Sequence, residues 1–163
     1  MKKYELTKET VTVSCKTLHR IRAVRDFGSV KAGDLGGYIE KEENLSHYGT
    51  ASVCDNARVC GEARVSGDAE VSGNARVYGE ARVCGEARVY NTRHFFVQGP
   101  IGSRNGYVTF YRTKDDTVGV RCGCFLGSLQ EFVNKVEETH KGSKYEKEYK
   151  HAVELAKVCI ELK

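Results

Sequence analysis

The loop GPIGSRNGY, residues 99–107, combines residue types that bind anions. Its glycines and its proline surround the polar residues Ser103, Arg104 and Asn105. Glycines let backbone amides approach an anion, and the guanidinium group of Arg104 offers a planar fork for phosphate or carboxylate. The alternative is a turn without a ligand, in which Asn105 and Gly106 supply the positive φ values of a tight hairpin.

Residues outside the loop extend this candidate site. Arg121 lies on a strand expected to face the loop, where it would add a second positive charge. Two tyrosines one helical turn apart are expected in the core, with hydroxyl groups that can reach a base or a sugar. The predicted ligand-binding residues are Ser103, Arg104, Asn105, Arg121, Tyr145 and Tyr149.

The histidines and cysteines assemble no catalytic or metal-binding motif. Acyl transfer needs a general base, and only His47 and His94 flank the repeats described below, with a role as buried cap residues as the alternative. Cys122 and Cys124 make half of a zinc site, and a nucleophilic role would need His140 nearby. An odd total of 7 cysteines indicates reduced thiols. We therefore predict no catalytic residue, no metal and no cofactor.

A six-residue repeat dominates the middle of the chain. Valine recurs at every sixth position from Val53 to Val89, alanine lies two places before each valine, and glycine follows two places after most of them. A spacing of two puts Ala and Val on one face of a short strand, and glycine allows a turn. A helix is excluded because the period is not 3.6. Such a unit is typical of a parallel β-helix.

Positions 18 residues apart are expected to stack if three units complete one coil. Stacking places Arg58 over Arg76, Arg64 over Arg82, and Glu70 over Arg88. One interpretation is a solvated face neutralised by turn carboxylates, which are Glu62, Asp68, Glu80 and Glu86. The other is that the arginine columns face a partner subunit or an anionic ligand. Cys54, Cys60 and Cys84 share one repeat position and are expected at the surface.

Three regions follow from these patterns. Residues 1–44 are predicted to form an N-terminal β cap, residues 45–92 a β-helix, and residues 93–163 a ββαα module. In this last region YVTFYR and VGVRCGCF alternate as two strands. Two S-x-x-E capping boxes, at Ser128 and Ser143, then predict the starts of two helices.

Composition narrows the functional classes. The 163 residues carry a net charge of +4, without the clustered basic residues of a phosphate-tracking nucleic-acid binder. No run approaches the ~18 apolar residues of a membrane span, and the N-terminus has no signal-peptide core. We therefore expect a cytoplasmic protein that binds neither a membrane nor nucleic acid.

The A-R-V-x-G-x units resemble the hexapeptide repeats of left-handed β-helix proteins, and this resemblance implies the left hand. Over nearly its full length the chain also resembles small, mostly uncharacterised phage and prophage β-helix proteins. The matching segments are RDFGSVKAGDLGGYIE, GSRNGYVTFYR, CGCFLGSLQEF and HKGSKYEKEY. The resemblance implies a homo-oligomer, a dimer or trimer, in the cytoplasm of a bacterial host.

Taken together, these features favour a non-catalytic protein that binds a small anionic ligand. The resemblance implies a phage-type sponge that sequesters an immune signal, such as a cyclic nucleotide or an ADP-ribose-type molecule. Two alternatives stay open at this stage. One is an oligomeric scaffold for a host protein, and the other is a hexapeptide-repeat acyltransferase.

Overall fold

The computed structural model describes residues 1–162 and shows a mainly β chain. Short parallel strands form its first part, and an antiparallel sheet with two helices forms its second part. The chain divides into two compact units between Thr92 and Arg93. Each unit buries its own set of apolar side chains.

The first unit begins with an antiparallel hairpin. β1 (Tyr4–Val13) pairs with β2 (Lys16–Ala23), and the turn between them holds Ser14 and Cys15 at φ values of 48° and 66°. β3 (Leu35–Ile39) pairs with β2 in antiparallel orientation. The hairpin is therefore built into a sheet that continues into the repeats.

The repeats form seven two-residue strands with their Ala and Val side chains inside. At most 2 % of each of these alanines and valines is exposed, and full burial of a valine contributes about 1.5–3 kcal/mol. The repeat glycines from Gly61 to Gly85 have φ values between 60° and 68°, where other residue types would be strained. The strands are β4 (Ser52–Val53), β5 (Arg58–Val59), β6 (Arg64–Val65), β7 (Glu70–Val71), β8 (Arg76–Val77), β9 (Arg82–Val83) and β10 (Arg88–Val89).

These strands pair in parallel with the strand three repeats further along. β4 pairs with β7 and β7 with β10, β5 pairs with β8, and β6 pairs with β9. β3 adds to the β5–β8 pair, so the hairpin extends one of the three stacks into a five-stranded sheet. The register confirms the predicted stacking of residues 18 positions apart, because it aligns Arg58 with Arg76, Arg64 with Arg82, and Glu70 with Arg88.

Polar side chains cover the N-terminal edge of the stacks. The buried ammonium group of Lys3 donates to the carbonyl oxygen of Ala51 at 2.7 Å. The side-chain amide of Asn44 donates to the carbonyls of Gly61 at 3.1 Å and Ala63 at 2.8 Å. These groups replace the backbone donors that a further strand would supply, and so satisfy buried carbonyls at the end of the parallel ladders.

The second unit has a four-stranded antiparallel sheet instead of the two predicted strands. Its strands are β11 (Phe95–Ile101), β12 (Gly106–Arg112), β13 (Val118–Cys122) and β14 (Phe125–Ser128), in that spatial order. The prediction of a ββαα module is therefore wrong in its strand number. Gly99 and Pro100 break the alternation of β11, and β14 is too short to give a clear pattern.

Two helices, α1 (Leu129–His140) and α2 (Lys144–Cys159), follow the sheet. Ser128 forms the predicted capping box, in which its hydroxyl accepts from the backbone of Glu131 at 3.1 Å. Ser143 does not, because its hydroxyl donates to the carbonyl of His140 at 2.7 Å. The helices and the sheet share one core, which contains Val108, Phe110, Val120, Phe132, Val136, Ala152, Val153, Ala156 and Ile160.

Candidate functional site

The outward-facing residues of the three parallel stacks differ in how their charges are balanced. On the β4–β7–β10 stack, Arg88 lies over Glu70, and the two side chains form an ion pair of 3.7 Å between Nε and Oε2. A guanidinium nitrogen of Arg88 also donates to the carbonyl of Asp68 at 2.9 Å. This stack therefore neutralises its own arginine.

The β6–β9 stack carries the column of Arg64 and Arg82, and a carboxylate lies beside it. Arg82 donates to the carbonyl of Glu62 at 3.1 Å. The pKa of Glu62 is lowered chiefly by its 2.7 Å hydrogen bond from Lys41, and further by the charges of Arg64 and Arg82. The arginine charge on this face is thus partly balanced within the chain.

The β5–β8 stack carries the column of Arg58 and Arg76, whose guanidinium charges are not balanced in this way. Within residues 1–162, neither guanidinium group has an ion pair or a side-chain hydrogen bond. Neighbouring strands lie about 4.8 Å apart, so two like charges are held close together. A bound anion would remove this repulsion.

Both arginines line a groove of about 850 Å³, which we call the arginine groove. Small-molecule sites commonly measure about 300–1,000 Å³, so the groove has the volume of a ligand site. Its lining residues are Val13, Ser14, Lys16, Arg58, Cys60, Gly61, Glu62, Arg76, Val77, Tyr78, Gly79, Glu80 and Thr92. All of them belong to the first unit.

One wall of the arginine groove is fixed by Lys16 and Glu40. Lys16 follows the β1–β2 turn and pairs with the Glu40 carboxylate at 3.4 Å. The same carboxylate accepts from the backbone amide of Gly61 at 2.6 Å, and this hydrogen bond is the main reason that the pKa of Glu40 is lowered. The hairpin is thereby tied to the repeats, with a cation at the rim.

The other wall is formed by the repeat that contains Tyr78, Gly79 and Glu80. Tyr78 is 55 % exposed, and no atom outside residues 78–80 lies within 4 Å of the position that a Cβ on Gly79 would take. Glu80 is half-buried, and within the described residues its carboxylate has no ion pair or side-chain hydrogen bond. An aromatic ring, open backbone and a carboxylate thus line this side.

The groove is lined by three cations, one thiol and two carboxylates. No histidine is among the described residues that line it. Burial raises the pKa of the Cys60 thiol, although the charge of Lys16 lowers it, so the thiol is mostly protonated at neutral pH. The cations Arg58, Arg76 and Lys16 can hold an anion.

The loop favoured from the sequence holds Ser103, Arg104 and Asn105 in a tight turn between β11 and β12. Asn105 has a φ of 50° and donates its amide to the carbonyl of Gly102 at 3.2 Å. The amide of Gly102, which an anion would need, donates instead to the Glu148 carboxylate at 3.1 Å. A carboxylate of the chain itself therefore occupies one of the loop's backbone donors.

The structure brings Arg104 towards Tyr149, whose ring packs on the α-carbon of Gly102. Burial and the neighbouring Cys122 raise the pKa of Tyr149 to about 12, while the charge of Arg104 acts in the opposite direction. Tyr145 lies one helical turn away and packs against the ring of His140, with centroids 5.9 Å apart. Tyr149 thus packs on the core between the helices and the sheet, whereas Tyr145 contacts His140 of α1.

Arg121 does not join this group. Val120 belongs to the core shared with the helices, and Cys122 packs against it, so strand alternation directs the residue between them to the opposite face of the sheet. Arg121 pairs in register with Thr109 and Leu126. Of the six residues predicted as one ligand site, Arg121 is therefore on the sheet face opposite to the helices, away from Tyr149.

The two histidines considered as bases are held by packing. His47 stacks on Tyr4 with ring centroids 4.2 Å apart and accepts from the backbone amide of Lys3 at 3.3 Å. His94 is only 4 % exposed. Burial lowers the pKa of both imidazoles. Neither histidine lines the arginine groove.

The cysteines match the expectation of surface positions only in part. Cys54 and Cys60 are half-buried, whereas Cys84 is buried at 6 % exposure. All seven cysteines lie within the described residues, and none is in a disulfide. Over residues 1–162, no group of three or more His, Cys, Asp or Glu side chains could hold a metal ion.

Comparisons with protein-family models and with curated proteins found no match for this chain. In the described part of the chain, neither helix has the length and apolar character that a membrane span requires.

Sequence reasoning identified Arg58 and Arg76 but missed Lys16, Tyr78 and the groove between them. The period alone gives the arginine column, whereas the wall supplied by Lys16 depends on where the hairpin lies on the repeats. In the sequence, the one indication of this wall is that Tyr78 and Glu80 belong to the same repeat as Arg76.

Proposed function

We propose that this protein is a non-catalytic binder of a small anionic ligand and that the arginine groove is its site. The observation that carries the proposal is the contrast between the three outward columns. Arg88 forms an ion pair with Glu70, and the charge of Glu62 acts on Arg64 and Arg82. Neither Arg58 nor Arg76 has an ion pair or a guanidinium hydrogen bond within the described residues, and both lie in a groove of ligand size that Glu62 and Glu80 also line. This assignment replaces the loop at residues 102–105 as the favoured site.

We also propose that the repeats wind into a left-handed parallel β-helix of the hexapeptide type. The stacking of residues 18 positions apart supports three repeats per coil, and the hand comes from the resemblance to hexapeptide-repeat proteins. The same resemblance supports a cytoplasmic homo-oligomer of phage origin that sequesters a host immune signal.

The test compares anion binding by two matched arginine variants. Pyrophosphate at 100 times its dissociation constant should add about 2.7 kcal/mol to stability, which thermal unfolding detects as a higher Tm. Arg58→Ala should abolish this shift, because it removes half of the unbalanced column. Arg64→Ala is the control, since it removes an arginine of the same repeat position on the β6–β9 stack.

A pyrophosphate shift of equal size in the Arg58→Ala and Arg64→Ala variants would place the anion elsewhere on the molecule. No shift with pyrophosphate or any phosphate-bearing compound would overturn the proposal. Recovery of the bound compound in unchanged form after heat release would support binding without catalysis, whereas turnover of an acyl donor would favour the acyltransferase alternative.

A further inference from the structure

We infer that the ligand of the arginine groove is a nucleoside diphosphate, and that Glu80 selects it by accepting hydrogen bonds from its ribose hydroxyl groups. This inference rests on the proposed function of the same site. It starts from a feature that anion binding alone does not explain, which is the presence of an unpartnered carboxylate in a groove lined by arginines.

The two carboxylates that line the groove, Glu62 and Glu80, and the adjacent Glu40 differ in their partners. Glu40 accepts from the Gly61 amide and pairs with Lys16, and Glu62 accepts from Lys41. Glu80 stacks 18 positions after Glu62 in the same turn position, yet no described side chain pairs with it. An ionised carboxylate only accepts hydrogen bonds, so half-buried Glu80 offers acceptor oxygens to a donor that a ligand brings.

The charge balance favours hydroxyl groups as that donor. Two unbalanced arginines lie within the groove, one strand spacing apart at about 4.8 Å, and suit two adjacent phosphate groups. Simple diphosphate would meet the negative charge of Glu80 and offer it no donor. A ribose attached to the diphosphate supplies neutral hydroxyl donors, and an acidic residue is a common acceptor for ribose hydroxyl groups.

The order of residues along the repeat agrees with this arrangement. Arg76, Tyr78 and Glu80 follow one another at alternate positions, and the turn at Gly79 leaves open space beside the backbone. Tyr78 therefore lies between Arg76 and Glu80 in the sequence, and its partly exposed side chain lines the same groove. An aromatic ring in this place can stack on a planar base.

The experiment measures affinity by isothermal titration calorimetry with three probes. The probes are adenosine diphosphate, its 2′,3′-dideoxy analogue, and pyrophosphate. We expect adenosine diphosphate to bind at least about ten-fold more tightly than either of the other probes. Both of those probes lack the ribose hydroxyl groups, and so lose the hydrogen bonds to the charged Glu80 carboxylate.

The Glu80→Gln variant tests the assigned residue with almost no change of shape. It should bind adenosine diphosphate and the dideoxy analogue with equal affinity, and it should bind pyrophosphate at least as tightly as the unmodified protein, because a negative charge has been removed. Glu86→Gln is the control, since Glu86 occupies the same turn position in the next repeat but does not line the groove. It should keep the full preference for adenosine diphosphate.

The outcomes separate the two proposals. Pyrophosphate binding that depends on Arg58, without any preference for adenosine diphosphate, would overturn this inference and leave the anion site in place. If the Glu80→Gln variant still bound adenosine diphosphate more tightly than the dideoxy analogue, another residue would recognise the ribose hydroxyl groups. That result would overturn the role of Glu80. Failure of all three probes to bind would overturn both proposals.

Discussion

At the scale of single residues, a buried cation closes the N-terminal end of the stacks. Lys3 is fully buried, its ammonium group donates to the Ala51 carbonyl at 2.7 Å, and the nitrogen lies 4.5 Å from the centroid of the Phe27 ring. Burial lowers the pKa of Lys3 to about 8, and the charge of Arg25 acts in the same direction. The folded protein therefore holds this proton less tightly than the unfolded chain.

This difference predicts a stability that rises with pH. Between about pH 8 and pH 10 the unfolded chain keeps the Lys3 proton while the folded protein releases it, so the free energy of unfolding should increase by about 2–3 kcal/mol across this range. The measurement is urea denaturation at several pH values, taken as the difference between the unmodified protein and Lys3→Met. Taking the difference removes the contributions of the other titrating groups.

In the unmodified protein taken alone, the rise in stability should weaken above pH 10, because burial raises the pKa of Tyr4 and the unfolded tyrosine then ionises first. A difference between the two proteins that stays constant from pH 7 to pH 10 would show that Lys3 titrates normally. The closing role of Lys3 at the stack edge would then need another explanation.

The groove residues show what a sequence can reveal about single side chains. Arg58 and Arg76 could be placed next to each other because their separation equals three repeats. The burial of Lys3 and the position of Lys16 could not, since each depends on how the hairpin packs on the repeats. A lysine in a polar N-terminal segment carries no local sign of burial.

At the scale of secondary-structure elements, the two helices both follow a serine, but only one of these serines caps its helix. Ser128 accepts from the backbone of Glu131 and forms a complete capping box, whereas Ser143 donates to the His140 carbonyl and leaves the first turn of α2 without a side-chain cap. We therefore predict that Ser128→Ala lowers the free energy of unfolding by about 1 kcal/mol.

The Ser143→Ala variant should have a smaller effect than Ser128→Ala, because it removes a single local hydrogen bond and no cap. Chemical denaturation of both variants, monitored by far-ultraviolet circular dichroism, measures the two differences. Equal losses would mean that Ser143 caps α2 in solution after all.

The second unit also shows which strands the sequence pattern does not predict. β12 and β13 alternate regularly and were identified, whereas β11 contains Gly99 and Pro100 and β14 has only four residues. In both missed strands, pairing with a neighbour decides the conformation, and that information lies outside the segment itself. The capping motif at Ser143 fails for a local reason, because its hydroxyl donates to the carbonyl of His140 instead.

At the scale of the whole molecule, the fixed period predicts the result of an insertion. A second copy of the repeat ARVSGD, residues 63–68, placed after Asp68 would keep the Ala and Val pattern but move every later outward residue by one face. Glu70 would then lie over Arg58 in place of Arg76. We predict a folded protein in which the arginine groove no longer binds pyrophosphate, as measured by calorimetry.

The control is a duplication of 18 residues, 63–80, placed after Glu80. It lengthens the stacks by three repeats and leaves Arg58 beneath Arg76, so pyrophosphate binding should persist. Binding that survives the six-residue insertion, or that is lost in both variants, would contradict the dependence of the site on stacking.

Because residues 18 positions apart pair in parallel, the outward residues of one stack can be substituted without changing those of the other two stacks. Substitutions at adjacent outward positions of successive repeats fall on different sides of the molecule and should act independently, whereas substitutions three repeats apart should be energetically coupled. Substitutions on one side can thus create a new binding surface without altering the buried alanines and valines. Such a chain is therefore a convenient template for engineered binders.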